Sequence, residues 1–145
     1  MKKRFRMVKT VAAVLLAVVV VMALASCSSS KGGNASDASG TVGALEWEYK
    51  KSNKTLTVSG SGDMKDFDAS ADAEWSKVRT SAETLTVEEG ITSVGDRAFY
   101  SFTALKNIEL PDSLTEIGDY SFAFCTSVET VVIPAGVTKV GDGAF

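Results

Sequence analysis

Apolar positions in the C-terminal half of the chain recur every 23 residues. The aligned sets are Leu85, Ile108 and Val131; Val87, Leu110 and Ile133; Ile91, Leu114 and Val137; and Val94, Ile117 and Val140. A signature of the form Gly-Asp-x-Ala/Ser-Phe follows the same spacing, with its glycines at Gly95, Gly118 and Gly141. A fixed period of this length is typical of stacked repeats, in which each unit completes its core against its neighbours. Residues 83–145 are therefore predicted to form a β-rich solenoid.

Each unit is predicted to contain two short strands followed by a short helical turn. The side chains predicted to point inward from the first strand of the second unit are Leu105, Ile108 and Leu110. Pro111 should end this strand because it has no N–H to donate. Gly118 is expected to provide either an unusual backbone angle or a close approach. Asp119 is expected to cap the helical turn, and the same role is favoured over ligand contact for Asp96 and Asp142.

Residues 42–82 lack the repeat and are predicted to cap its first unit. Apolar and polar residues alternate on both sides of the turn 50–54, which predicts a β-hairpin with one buried face. Its inward residues are Leu45, Trp47, Tyr49, Leu56 and Val58. Asn53 is the residue expected to take positive φ in the turn. Irregularly spaced apolar residues then predict a loop and a short helical turn over the adjoining core; they are Met64, Phe67, Trp75 and Val78.

The N-terminus has the features of a secretory signal. Five basic residues precede an uninterrupted apolar run of 15 residues, 11–25. That run is shorter than the ~20 residues that a membrane-spanning helix needs. A basic start, a short apolar middle and small residues before a cleavage site predict a signal peptide over residues 1–26. The alternative is an uncleaved N-terminal membrane anchor.

The sequence Leu24-Ala25-Ser26-Cys27 resembles the lipobox of bacterial lipoproteins. The resemblance implies cleavage before Cys27 and attachment of lipid to its thiol, so that Cys27 anchors the mature chain in a membrane. Residues 27–41 are rich in Ser, Gly, Ala and Asn and are predicted to be a flexible tether. The expected location is the cell surface of the exporting organism.

Cleavage would change the charge of the chain. All 18 acidic residues and ten of the 15 basic residues follow residue 26, which gives the mature chain a net charge of −8. So acidic a chain would be repelled by nucleic acid and by anionic lipid headgroups. Nucleic acid is therefore excluded as a partner, and the mature protein is expected to be a monomer.

Two segments of the chain resemble the BspA-like leucine-rich repeats of bacterial surface proteins, and a third resembles the leader of such repeats. Two repeat segments carry the resemblance, 88–99 (EEGITSVGDRAF) and 108–119 (IELPDSLTEIGD), and 56–64 (LTVSGSGDM) resembles the leader that often precedes them. The resemblance implies a leucine-rich repeat stack in a secreted or surface-attached protein. Some such proteins bind host proteins, matrix proteins or other cells, and the family brings no catalytic residue. Phe102 occupies a position where the family usually has cysteine.

The chemistry available to the chain argues against an enzyme and against a cofactor or metal. The chain has no histidine, which removes the commonest general base and zinc ligand. Cys125 is read as a small buried hydrophobe, in preference to a reactive thiol. The densest carboxylate cluster is Asp63, Asp66, Asp68 and Asp72. A calcium loop counted from Asp66 would need glycine and glutamate where Ala71 and Lys77 stand, so a solvated loop is favoured.

Polar strand positions that alternate with the core define the candidate binding surface. They are Thr84, Thr86, Asn107, Glu109, Thr130 and Val132. The alternative for each of these residues is plain solvation. The predicted function is recognition of an extracellular protein or cell-surface ligand, as in an adhesin. The alternative function is a stalk or cap for a functional domain beyond residue 145. The third unit stops at Phe145, which is expected of a fragment of a longer protein. The other explanation for this end is a short protein whose last unit is covered by a partner.

Overall fold

Two β-sheets enclose the apolar core in the computed structural model, which describes residues 37–68 and 73–145. The first sheet has the order β1 (Ala38–Val42), β2 (Leu45–Lys50), β3 (Thr55–Ser59), β5 (Thr84–Val87) and β7 (Asn107–Glu109). The second has the order β4 (Gly62–Asp63), β6 (Ile91–Val94), β8 (Glu116–Ile117) and β9 (Lys139–Val140). A 3-10 helix covers Glu74–Val78. The predicted signal peptide, its lipobox and Cys27 lie outside the described residues.

The predicted hairpin is confirmed. Strands β2 and β3 pair antiparallel, with Trp47 opposite Val58 and both side chains buried. In the turn, the positive φ falls on Lys54, at 55°, and not on Asn53 as predicted. Asn53 instead accepts a hydrogen bond on its side-chain Oδ1 from the Thr55 amide, at 3.2 Å. This local bond holds the turn without a left-handed conformation at Asn53.

The predicted tether is wrong for residues 38–41, which belong to strand β1. This strand pairs antiparallel with β2, with Gly40 opposite Trp47. Its residues alternate between half-buried and exposed, so the strand covers the sheet edge with small side chains. Because the ladder to β2 supplies backbone hydrogen bonds, an edge strand needs less apolar surface than composition alone suggests.

The apolar positions that align in the sequence are neighbours in the sheets. Strands β3, β5 and β7 are parallel, and Leu85 lies between Leu56 and Ile108. In the second sheet Ile117 lies between Val94 and Val140. The first strand predicted for the third unit is absent, because no residue in 128–134 belongs to a strand.

The predicted helical turn of each unit is wrong. Residues 96–101 form successive turns that pass through positive φ at Arg97 (53°) and Ser101 (58°), which a right-handed helix does not allow. The amides of Arg97, Phe99 and Ser101 donate to the next unit, to the carbonyls of Asp119, Ser121 and Ala123 at 2.8–2.9 Å. The backbone N–H groups of these turns therefore form hydrogen bonds with the next unit, whereas in a helix they would bond along the helix axis.

The predicted helix capping by the signature aspartates is also wrong. Their carboxylates join consecutive units: Asp96 Oδ1 accepts from the Asp119 amide at 2.7 Å, and Asp119 Oδ1 from the Asp142 amide at 2.8 Å. Asp66 begins the series by accepting from the Asp96 amide at 3.0 Å. A Cβ on Gly118 would lie 2.5 Å from Asp96 Oδ1, so the close-approach explanation of this glycine holds. We call these bonds the aspartate ladder.

Aromatic rings stack through the core beside the turns. Trp75, Phe99, Phe122 and Phe145 are consecutive members, with ring centroids 5.4–5.7 Å apart. Trp75 joins the helix to this column, and its indole Nε1 donates to the Ala98 carbonyl at 2.7 Å. Trp75 thus packs the 3-10 helix against Phe99 of the first unit, whereas residues 69–72 of the predicted loop lie outside the described residues.

Replacing Asp119 tests the aspartate ladder. Asp119→Ala removes the acceptor of the Asp142 amide and should lower the free energy of unfolding by about 1 kcal/mol. Asp119→Asn keeps a carbonyl acceptor and should retain most of that stability. Urea unfolding followed by circular dichroism measures both. An equal loss in the two variants would show that charge matters at Asp119 and the hydrogen bond does not.

Candidate functional site

Four of the six predicted surface residues come together on the outward face of the first sheet. Thr84 lies opposite Asn107, and Thr86 lies opposite Glu109, on the paired strands β5 and β7. Thr86 Oγ1 donates to Glu109 Oε2 at 2.9 Å. Parallel pairing puts these side chains on one side because residues two apart along a strand face the same way.

The other two predicted residues do not join this sheet. Thr130 and Val132 are exposed, but they lie in 128–134, where no strand forms. Val132 is 82% exposed. The structure therefore leaves this pair beyond the last strand of the face, without the cross-strand partners that the alignment predicted.

The face extends over three strands that the prediction of a binding surface did not include. Thr57 lies between Glu48 and Thr86, and Thr55 lies between Lys50 and Thr84. We call this outward side the polar sheet face. Its members are Ser39, Thr41, Glu46, Glu48, Lys50, Thr55, Thr57, Ser59, Thr84, Thr86, Asn107 and Glu109. The period-2 pattern of β2 and β3 marked these residues as exposed, but their sequence gave no sign that β3 would pair with β5.

Hydroxyl and carboxylate groups dominate the polar sheet face. Its charged members are Glu46, Glu48, Glu109 and Lys50, and Lys50 is engaged by Glu48 at 3.3 Å. A shallow groove of about 430 Å³ runs along β1, β2 and β3 and is also lined by Glu88. The face can therefore accept hydrogen bonds and attract cationic groups.

An ion-pair chain fixes one border of this face. The Glu83 carboxylate lies between the ammonium groups of Lys54 and Lys106, and the distance to Lys106 Nζ is 2.7 Å. Hydrogen bonds from Lys106 and Lys54 lower the pKa of Glu83 to about 2. The hydrogen bond to Glu83 also raises the pKa of Lys54. These ion pairs link three neighbouring strands of the first sheet, because the three residues directly precede β3, β5 and β7.

The described residues offer no metal site. In ranges 37–68 and 73–145, no group of three or more Cys, Asp or Glu side chains is arranged to hold a metal ion. Two carboxylates of the predicted acidic cluster have structural partners: Asp63 Oδ1 accepts from Thr92 Oγ1 at 2.7 Å, and Asp66 starts the aspartate ladder, whereas Asp72 lies outside the described residues. Over those same ranges, no helix is long and apolar enough to cross a bilayer.

Cys125 occupies a partly buried position against the core. Its Sγ donates to the Phe99 carbonyl at 3.3 Å, and burial raises the pKa of the thiol to about 11. A thiol with so high a pKa is a weak nucleophile at neutral pH, because the thiolate is the reactive form. This environment agrees with the prediction of a small buried hydrophobe.

The sequence and fold match known leucine-rich repeat proteins. Residues 77–145 match a family model described as BspA type Leucine rich repeat region (6 copies). A comparison with curated proteins found no similar sequence. The leucine-rich repeat fold predicted from the sequence is confirmed, and with it the resemblance of the repeat segments to the BspA type.

Three solved structures of leucine-rich repeat proteins resemble this chain. The protein from Eubacterium ventriosum matches with a TM-score of 0.67 and 28% identity over 74% of this chain. The match covers 28% of the Eubacterium ventriosum protein, so this chain spans less than a third of its length. The protein from T. pallidum has 18% identity, covers 68% of this chain and 51% of its own, and has a TM-score of 0.47. The protein from Bacteroides capillosus has 24% identity, covers 70% and 86%, and has a TM-score of 0.44.

The ion pairs of Glu83 predict a pH dependence of stability. Because the folded state lowers the pKa of Glu83 to about 2 from an ordinary value of 4.5, its contribution is full above pH 4.5. That contribution should be lost as the pH falls from 4.5 towards 2. Glu83→Gln should therefore lose less stability than the unmodified protein over this window, as measured by urea midpoints at pH 6, 4.5, 3 and 2. Titration of the Glu83 carboxyl near 4.5 by ¹³C NMR would contradict the assignment.

Proposed function

We propose that this chain is a lipid-anchored cell-surface recognition protein without catalytic activity, and that the polar sheet face is its binding surface. The observation that supports this most directly is the register of the first sheet. Five strands align hydroxyl and carboxylate side chains in continuous rows, such as Glu48, Thr57, Thr86 and Glu109. Leucine-rich repeat proteins are generally binding modules, and extended repeat surfaces are what they use for binding.

The chemistry of the face favours a partner protein that presents basic and hydrogen-bonding groups. Thr84, Thr86, Asn107 and Glu109 form the centre of the proposed surface, and Thr130 and Val132 form its border on the third unit. Carboxylates on a mature protein with a net charge of −8 speed encounter with a cationic partner and disfavour an anionic one. The face has no aromatic member, so its affinity should depend on polar contacts.

The proposed architecture places this surface outside the cell. Cys27 would carry the lipid, a tether shorter than first predicted would lead to β1, and residues 42–82 would cap a solenoid with a 23-residue period. Proteins with repeats of the BspA type are typically surface or exported proteins of bacteria, which supports the proposed location. The lipobox sequence supports attachment through Cys27.

A second candidate function is that of a stalk or cap for a functional domain after residue 145. Exposed apolar side chains in the third unit favour it: Val140 is 48% and Phe145 is 51% exposed. Another unit or domain packed against them would bury this surface. The coding sequence past residue 145 separates the two functions, because repeats support recognition and a catalytic pattern supports the stalk.

Replacing Cys27 tests the proposed anchor. Cells fed an alkyne analogue of palmitate should label the unmodified protein and should not label Cys27→Ser. The variant should also leave the membrane fraction or keep its uncleaved signal. Cys125→Ser is the control and should be labelled normally, because its thiol faces the folded core. Lipid labelling of Cys27→Ser would refute anchoring at this residue.

Introducing a positive charge tests the proposed binding surface. Thr86→Lys puts an ammonium group beside Glu109 in the centre of the face and should weaken a saturable interaction with purified matrix or host-surface proteins by about tenfold. Thr126→Lys makes the same change at an exposed turn and should leave binding unchanged. Full-length protein on liposomes, assayed by surface plasmon resonance, measures both. Saturable binding that is equally strong in the two variants would exclude the polar sheet face.

A further inference from the structure

Three aromatic side chains and one arginine form an exposed cluster on the turns of the first two units. Phe124 is 62% exposed and Tyr120 is 41% exposed. Tyr100 packs against Phe124 edge to face, with ring centroids 5.3 Å apart and an interplanar angle of 69°. The guanidinium of Arg97 lies 5.3 Å from the centroid of the Tyr120 ring. We call these four residues the aromatic patch; none of them belongs to the polar sheet face.

The backbone under two of these rings is in a conformation that bulky residues rarely adopt. Tyr120 has φ of 54° and Phe124 has φ of 60°. At the position of Tyr120 the neighbouring units carry Arg97 with φ of 53° and Gly143 with φ of 59°, and at the position of Phe124 the preceding unit carries Ser101 with φ of 58°. The turn therefore forms without an aromatic side chain. The positive φ therefore belongs to the repeat, and what distinguishes Tyr120 and Phe124 is that they place exposed aromatic rings on it.

Arg97 gives the aromatic patch a positive charge within an acidic protein. The chain has 18 acidic and 15 basic residues, yet no carboxylate forms an ion pair with Arg97 in ranges 37–68 and 73–145. Its contact with the Tyr120 ring orients the guanidinium without neutralising it. An anionic group on a partner could therefore form an ion pair with Arg97, although the protein as a whole is acidic.

A cleft of about 310 Å³ lies beside these residues. Phe67, Asp68 and Arg79 complete its walls. The lining therefore holds two cationic side chains, Arg79 and Arg97, and one carboxylate, Asp68. The volume suits a few side chains of a peptide segment. Tyrosine and arginine are also enriched among the residues that contribute most to protein–protein binding.

We infer that the aromatic patch and its cleft bind a segment of a partner protein that carries a carboxylate side chain next to an apolar one. The apolar side chain packs against Phe124 and Tyr100, and the carboxylate pairs with the Arg97 guanidinium. This surface is separate in residues and opposite in charge preference from the polar sheet face, and it does not depend on the proposed function of that face.

Short peptides test the inference on the full chain held in lipid nanodiscs. The probes are three acetylated, amidated hexapeptides of sequence GLEFEG, GLKFKG and GSESEG, with tetragalacturonate as an anionic sugar. The acidic apolar peptide GLEFEG should bind at least tenfold more tightly than each of the others by fluorescence anisotropy. Its affinity should fall as salt rises, because exposed charge pairs are screened.

Variants that copy neighbouring units separate binding from folding. Phe124→Ser and Tyr120→Gly install the residues found at Ser101 and Gly143, so they should keep or raise the thermal midpoint. Both variants should weaken the binding of GLEFEG about tenfold. Arg97→Gln should remove the preference for GLEFEG over GLKFKG. Lys51→Gln, in the exposed turn of the hairpin, removes the same charge as Arg97→Gln outside both surfaces; it is the control and should bind GLEFEG like the unmodified protein.

The opposite results would overturn the inference. These are equal binding of GLEFEG and GLKFKG, unchanged binding in Phe124→Ser, or binding of tetragalacturonate alone. A loss of thermal stability in Phe124→Ser and Tyr120→Gly without a loss of peptide binding would assign the rings to packing. If none of these peptides binds, while Thr86→Lys still weakens the binding of matrix proteins, the aromatic patch is rejected as a binding site and the proposal for the polar sheet face is retained.

Discussion

Hydrogen bonds between consecutive units are the constraint on which the rest of this structure depends. The turn amides of one unit donate to carbonyls of the next, as from Phe99 to Ser121, and the aspartate ladder repeats the pattern with side chains. A buried or half-buried amide without a partner is costly, so each unit requires its neighbour at a fixed register. The signature Gly-Asp follows from this requirement, because Gly118 leaves the room that the Asp96 carboxylate occupies.

The same register creates both candidate surfaces. In-register strands place rows of hydroxyl and carboxylate groups on the polar sheet face. On the turns, Tyr120 and Phe124 have left-handed conformations and exposed rings, and the Tyr120 amide donates to the Asp142 carbonyl of the next unit at 3.0 Å. The two surfaces differ in chemistry, because the polar sheet face carries mostly hydroxyl and carboxylate groups, whereas the aromatic patch combines three aromatic rings with a guanidinium.

The period in the sequence predicted the apolar core well, because burial acts on side chains that the sequence displays. It placed Ile108 beside Leu85 and Ile117 beside Val94, and the structure agrees. It misjudged the turns because a Gly-Asp start followed by an aromatic residue is also typical of a capped helix, and the partner amides lie 23 residues away. Strand β1 was not predicted for a related reason. Its stability comes from pairing with β2, which composition does not reveal.

Through-bond NMR couplings across hydrogen bonds test the central claim most directly. On uniformly labelled full-length protein, the amide nitrogens of Arg97, Phe99 and Ser101 should couple to the carbonyl carbons of Asp119, Ser121 and Ala123, their acceptors in the next unit. Couplings from these nitrogens to carbonyls four residues earlier would mean that the turns are helical after all. In that case the units would not be joined by their backbones, and this account of the fold would be wrong.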